Sequence, residues 1–163
     1  MRKVLLFLLA AFVIIQFFRP AKNTASGPEA YAKDISKVHA VPADVQLILQ
    51  KACNDCHSNN TKYPWYSNIQ PVAWWLKDHI DEGKRELNFS EFAGYSLRRQ
   101  YHKLEEVEEQ VKEGEMPLSS YTIIHKDAKL TEAEKNALYN WVNGIRDSMR
   151  SVYPIDSLER KKK

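Results

Sequence analysis

Two cysteines three positions apart, followed at once by a histidine, are the residues in this chain best suited to chemistry: Cys53-Asn54-Asp55-Cys56-His57. They are the chain's two cysteines. At the end of a helix, two thiols at this spacing face the same way and can add to the two vinyl groups of one porphyrin. The next residue then sets an imidazole over the iron. The pattern predicts one covalently attached haem c on Cys53 and Cys56, with His57 as proximal axial ligand. Covalent attachment would retain a haem that so small a domain cannot fully enclose. Other uses of the pair remain open. A disulfide suits an exported protein, although a thioredoxin-like pair would be expected beside a βαβ pattern, which is absent. A structural zinc site needs two further ligands. No second cysteine pair exists, and His39, His79, His102 and His125 are scattered.

A second axial ligand is sought next. Of three methionines, Met1 begins the chain, Met149 lies near the end of the last predicted helix, and Met116 sits in Gly114-Glu115-Met116-Pro117 between two helices. Met116 is the expected sixth ligand, on a loop stiffened by Pro117. Thioether ligation opposite histidine raises the reduction potential relative to two imidazoles. The rival is His79, beside Trp74 and Trp75 on a predicted helix, which would give a bis-histidine site. Trp65, Trp74, Trp75 and Trp141 are expected in the core, and the remaining histidines at the surface or in hydrogen bonds.

Helices must position these groups, and no convincing strand pattern appears. Val45, Ile48, Leu49 and Ala52 fall at i, i+3, i+4 and i+7, predicting a helix over residues 43–53 that ends at the motif. A turn-rich stretch follows to Pro71, then a helix over 72–86 with Ala73, Leu76 and Ile80 on one side. A short helical turn near Ser90 leads into a helix whose apolar residues are Leu97, Tyr101, Leu104, Val107 and Val111, stopped by Gly114. Thr131 and Glu134 form a capping box for the last helix, with Leu130 as staple and Leu138, Trp141, Val142 and Ile145 as its buried stripe.

The composition is that of a folded protein, with 44% hydrophobic and 28% charged residues over 163 positions, enough for one domain. The net charge of +3 is concentrated at the ends. Setting aside Arg2, Lys3, Arg19 and Arg160 to Lys163 leaves 17 basic residues against 21 acidic ones, about −4 for the middle. A nucleic-acid partner is therefore excluded from the expectations. Residues 1–22 carry Arg2 and Lys3 before an apolar run, Val4 to Phe18, broken by Gln16. They read as a signal or, with no small residues directly after the run, as an uncleaved membrane anchor. Residues 23–41 are expected to be a linker with a reach of roughly 25 Å by random-coil scaling. Residues 42–150 would form the haem domain and 151–163 a basic tail.

Cys53-Asn54-Asp55-Cys56-His57-Ser58-Asn59 and Tyr63-Pro64-Trp65-Tyr66 resemble the haem-binding domain family of exported bacterial monohaem proteins. Trp74, His79, Leu87-Asn88-Phe89-Ser90 and Gly114-Glu115-Met116-Pro117 are similar to that family's later segments, so the resemblance covers about residues 40–145. It implies a cytochrome c-like, all-α bundle of four to five short helices around one covalent haem c, with His57 as an axial ligand. The Met-Pro loop also resembles the sixth-ligand loop of class I cytochromes c. The resulting expectation is a single-electron carrier rather than an enzyme. It would be anchored on the periplasmic side of the bacterial inner membrane, or be soluble in the periplasm after cleavage, and would serve redox proteins there. A peroxidase-like or gas-sensing protein, with a sixth position that opens, is the alternative.

Overall fold

A computed structural model describes residues 1–159; the basic run Arg160 to Lys163, expected as part of a solvated tail, lies outside them. The described residues are helical, with one isolated bridge between Thr24 and Asn60 and no strand. The α-helices are α1 (Arg2–Ile15), α2 (Ala43–Ala52), α3 (Asn54–His57), α4 (Val72–Glu86), α5 (Leu97–Glu113), α6 (Ser119–Thr122), α7 (Glu132–Val152) and α8 (Ile155–Leu158).

Local chemistry sets the ends of these helices. Asp44 in the first turn of α2 favours the helix dipole. Asn88 accepts from Ser90 N and starts the 3₁₀ turn Phe89–Gly94. Gly114 closes α5 at φ 78°, a left-handed conformation that costs glycine nothing. At α7 the Thr131 hydroxyl accepts from Glu134 N and the Glu134 carboxylate accepts from Thr131 N at 2.9 Å, completing the capping box. The core forms where α5 packs on α7, α2 on α7, and α8 on α5. Val45, Ile48 and Leu49 of α2 meet Tyr101 and Leu104 of α5 and the stripe Leu138, Trp141, Val142 and Ile145, which Met149 extends.

Three segments depart from expectation. The expected anchor helix is α1, whose 14 residues rise about 21 Å against a hydrocarbon core of about 30 Å. No helix among the described residues is long and apolar enough to cross a membrane. The helix stops early because Gln16 turns toward the domain: its Nε2 donates to Gln70 O at 3.3 Å and its Oε1 accepts from Gln70 N at 2.9 Å. Gln70 Nε2 and Trp74 Nε1 then both donate to Phe18 O.

Residues 23–41 are packed rather than a loose linker. Asn23 Nδ2 donates to Ser58 O and Thr61 Oγ1, Lys84 Nζ donates to Asn23 Oδ1, and Ile35 is buried. Trp141 Nε1 donates to Ala40 O. The segment is a strap bound to the domain along its length.

The end of the described chain is also structural, since Leu158, placed in the expected tail, is 1% exposed. Of the four tryptophans expected in the core, Trp141 is buried, while Trp65, Trp74 and Trp75 are exposed.

Two predictions follow from this packing. Leu158→Ala should destabilise the domain by about 2–5 kcal/mol, the cost of a core cavity, read from the urea midpoint. His39 lies edge-on to Phe92 beside Gln100, with a buried Nε2 that has no partner. Burial holds its pKa below the ordinary histidine range. Near pH 6.5 the unfolded chain therefore gains a proton that the folded domain refuses, and stability falls as pH drops below about 6.5. His39→Gln should flatten that fall relative to the parent chain.

Candidate functional site

The cysteine motif occupies a tight corner. α2 ends at Ala52, Cys53 departs from helical geometry at φ −125°, and α3 is a single turn with His57 N donating to Cys53 O at 2.9 Å. α4 packs directly on this turn. Gly83 makes the approach possible: a Cβ there would stand 2.7 Å from Cys56 O and 3.1 Å from Cys56 Cβ. Where α4 ends, Leu87 O accepts a hydrogen bond from His57 Nδ1 at 2.9 Å. A carbonyl can only accept, so the proton sits on Nδ1 and the Nε2 lone pair is free to bind a metal. This is the outer hydrogen bond that orients metal-ligating histidines. Burial keeps the His57 pKa below its usual value, which favours the neutral imidazole that ligation requires.

The residues after the motif are fixed with equal care. Ser58 Oγ donates to Asn54 O, and Asn88 Nδ2 donates to Asn59 Oδ1. Thr61 Oγ1 donates to Asp55 O. The Ser58 and Thr61 bonds tie the turn between α3 and α4 back onto α3, and the Asn88 bond ties it to the segment that follows α4.

Beside the motif lies a cleft made of two adjoining cavities of about 380 Å³ and about 320 Å³. Each is within the range of small-molecule and cofactor pockets. Cys53, His57, Met116 and Pro117 line both cavities, and Cys56 lines the second. Leu87, Phe89, Val107, Val111, Leu130 and Leu138 give the first an apolar wall. Its rim is charged: Lys103 Nζ donates to Glu106 at 2.5 Å and to Glu86 at 3.3 Å. Both cysteines are free thiols. Burial first, then the neighbouring Cys56, pushes the Cys53 thiol up to about 12. Burial and Asp55 push Cys56 up to about 11. Buried neutral thiols are poor partners for thiol–disulfide exchange.

Met116 is held by its loop. Beyond Gly114, Glu115 N and Met116 N both donate to Gln110 O, at 3.0 and 3.1 Å. Further on, the Tyr121 hydroxyl donates to Asp55 Oδ2 at 2.7 Å, within the motif itself. The Tyr121 ring stacks on His125, with centroids 4.2 Å apart, and His125 Nε2 is 2.7 Å from the Tyr66 hydroxyl. Burial and the Asp55 carboxylate raise the Tyr121 pKa, so the phenol keeps the proton it donates.

His79, the rival ligand, lines the second cavity alone. Its Nδ1 is 2.9 Å from Trp75 O, and its ring lies 4.2 Å from that of Trp75. His102 is exposed against Glu105 and Glu106. Among the described residues, no group of three or more histidine, cysteine or acidic side chains could hold a metal ion, so a zinc site gains no support.

An all-helical domain with an apolar cleft, two thiols and two soft or nitrogen donors at its wall defines a cofactor-binding protein. The sequence matches the haem-binding domain family over residues 10–144, and the chain belongs to that family. Haem is the cofactor that this membership assigns. The match begins inside α1 and includes the strap, in keeping with their hydrogen bonds to the rest of the domain. No curated protein and no solved structure matches the chain. The donor set fits a haem, with apolar walls for a flat ring and an imidazole with one nitrogen free.

The cleft brings Cys53, Cys56, His57 and Met116, the candidate residues read from sequence, to its walls. Sequence reasoning missed Gly83, the Leu87 carbonyl and the Asp55–Tyr121 bond. A glycine inside a helix was a usable signal of close approach; a backbone carbonyl carries none. Gly83→Ala should force α4 away from Cys56, costing about 1–3 kcal/mol by overpacking and weakening haem retention. Gly144→Ala, with nothing within 4 Å, should be neutral or stabilise α7 by up to about 1 kcal/mol. Urea titration and haem content of both variants check this contrast.

Proposed function

We propose that the chain is an exported monohaem c-type cytochrome that transfers single electrons, with haem c bound covalently through Cys53 and Cys56 and axially through His57 and Met116. The observation that carries this reading is that Cys53, His57 and Met116 each line both halves of one cleft. His79 reaches one half only, so Met116 is favoured as sixth ligand.

When bound, haem supplies the one-electron iron couple. The protein's residues do the rest. Each thiol would add across a vinyl group, sulfur to one carbon and hydrogen to the other, with no net oxidation. The Leu87 carbonyl fixes the His57 tautomer. Met116 would fill the remaining axial position and raise the potential. With both positions filled, iron offers no site for a substrate, which argues for transfer over catalysis. The apolar wall from Phe89 to Leu138 would shield the ring from water, and the charged rim would be where a redox partner approaches.

The proposed location is the periplasmic side of a bacterial inner membrane. The apolar side chains of α1 are exposed without a protein partner. A helix apolar on all sides favours apolar surroundings, so α1 would associate with the bilayer while Gln16 and Phe18 hold it to the domain.

Protein produced with cytochrome c maturation should hold acid-stable haem, six-coordinate and low-spin in both oxidation states. Met116→Ala should abolish the weak long-wavelength sulfur-to-iron band and lower the reduction potential, while His79→Ala should leave both unchanged. Absence of covalent haem would overturn the assignment. A high-spin, carbon monoxide-binding parent protein would favour the peroxidase-like or gas-sensing alternative.

A further inference from the structure

We propose that Tyr121 and Asp55 form a clasp that positions Met116 and keeps the iron's sixth position closed to outside ligands. The inference rests on Met116 ligation and identifies what holds that ligand in place.

The loop carrying Met116 is fixed on two sides. On one, Gln110 O accepts from both Glu115 N and Met116 N, tying the loop to the end of α5. On the other, Tyr121 donates to Asp55 Oδ2 at 2.7 Å. Asp55 lies between the two cysteines, so this bond joins the loop directly to the segment that carries the proximal ligand. The carboxylate is itself held, because its other oxygen accepts from Lys62 N at 2.9 Å. The phenol is held too, stacked on His125, which is paired with Tyr66.

Four residues separate Met116 from Tyr121, and of these Pro117 and Leu118 line the cleft with them. Between the Gln110 carbonyl and the clasp there is no other long-range hydrogen bond from the side chains of residues 116–120 among the described residues. Without the clasp the loop keeps its attachment at the α5 end and the stacking of Tyr121 on His125, but loses its direct hydrogen bond to the motif that carries His57. A thioether is a weak, neutral ligand whose occupancy depends on being held near the metal. The clasp therefore decides between a closed carrier and a site open to small ligands. Tyr121 acts as a positioning residue, since its hydroxyl is committed to Asp55.

The test uses the full-length holoprotein and its Tyr121→Phe, Asp55→Asn, Asp55→Ala and Met116→Ala variants. Two readouts are followed, the intensity of the sulfur-to-iron band and the affinity for imidazole (ferric) and carbon monoxide (ferrous). Tyr121→Phe should weaken the band and raise imidazole affinity about ten- to a hundredfold, the factor one charge-assisted hydrogen bond supports. Asp55→Asn keeps one acceptor oxygen but loses the charge, and should fall between the parent and Tyr121→Phe. In Tyr121→Phe combined with Asp55→Ala, the two effects should not add, because both remove the same bond. This comparison holds even if one variant loses stability.

Parent-like imidazole affinity and band intensity in Tyr121→Phe, with both changed in Met116→Ala, would overturn the clasp and leave methionine ligation standing. Met116→Ala indistinguishable from the parent would overturn the ligation reading and the clasp with it.

Discussion

The contact between α4 and the single turn of α3 governs the rest of the molecule. Gly83 lets the two backbones meet at a distance no side chain would allow, and the end of the same helix delivers Leu87 O to His57. One helix thus sets both the depth of the motif and the orientation of its imidazole. If α4 moved outward, the hydrogen bond to Nδ1 would lengthen and the ring would lose its tautomer and direction together. The loop that carries Met116 is tied to the same turn, because Tyr121 donates to Asp55. The His57 and Met116 walls of the cleft therefore share one origin of coordinates.

Electrostatics complement this geometry. The interior of the cleft is apolar, and its charges sit at the rim, where Lys103 is shared by Glu86 and Glu106. Burial favours the neutral His57 imidazole, Met116 carries no charge, and the Asp55 carboxylate at the second cavity is committed to Tyr121 and Lys62. A haem seated in the cleft would meet a largely apolar wall, and such surroundings, together with axial ligand identity, are what a protein uses to set a potential.

Much of this was legible in the sequence, for identifiable reasons. Helical periodicity placed α2, α4, α5 and α7 because their apolar faces are regular, and Gly114 and Thr131 give recognisable ends to α5 and α7. The motif announced Cys53, Cys56 and His57, and a loop methionine before proline announced Met116. What stayed hidden depends on pairings between distant residues. Asn23 gives no local hint that it will bind Ser58 and Thr61, and Gln16, polar within an apolar run, gives no hint of Gln70. Proline and glycine in the strap suggested looseness, yet its Ile35 is buried and its backbone is tied to the domain. Exposed tryptophans defeat composition for a similar reason: Trp74 spends its indole N–H on Phe18 O at the surface.

The strap has a consequence for the order in which the domain can close. Its Asn23 is bonded to residues 35 and 38 positions further along the chain, so it leaves the ribosome before the groups it binds. Seating of the strap waits until Ser58 and Thr61 have followed, and those residues lie just past the Cys53–His57 motif. The motif is therefore complete as a chain segment before the strap is fastened beside it. Both cysteines stay partly exposed in the fastened domain, so the strap fixes the corner without sealing it.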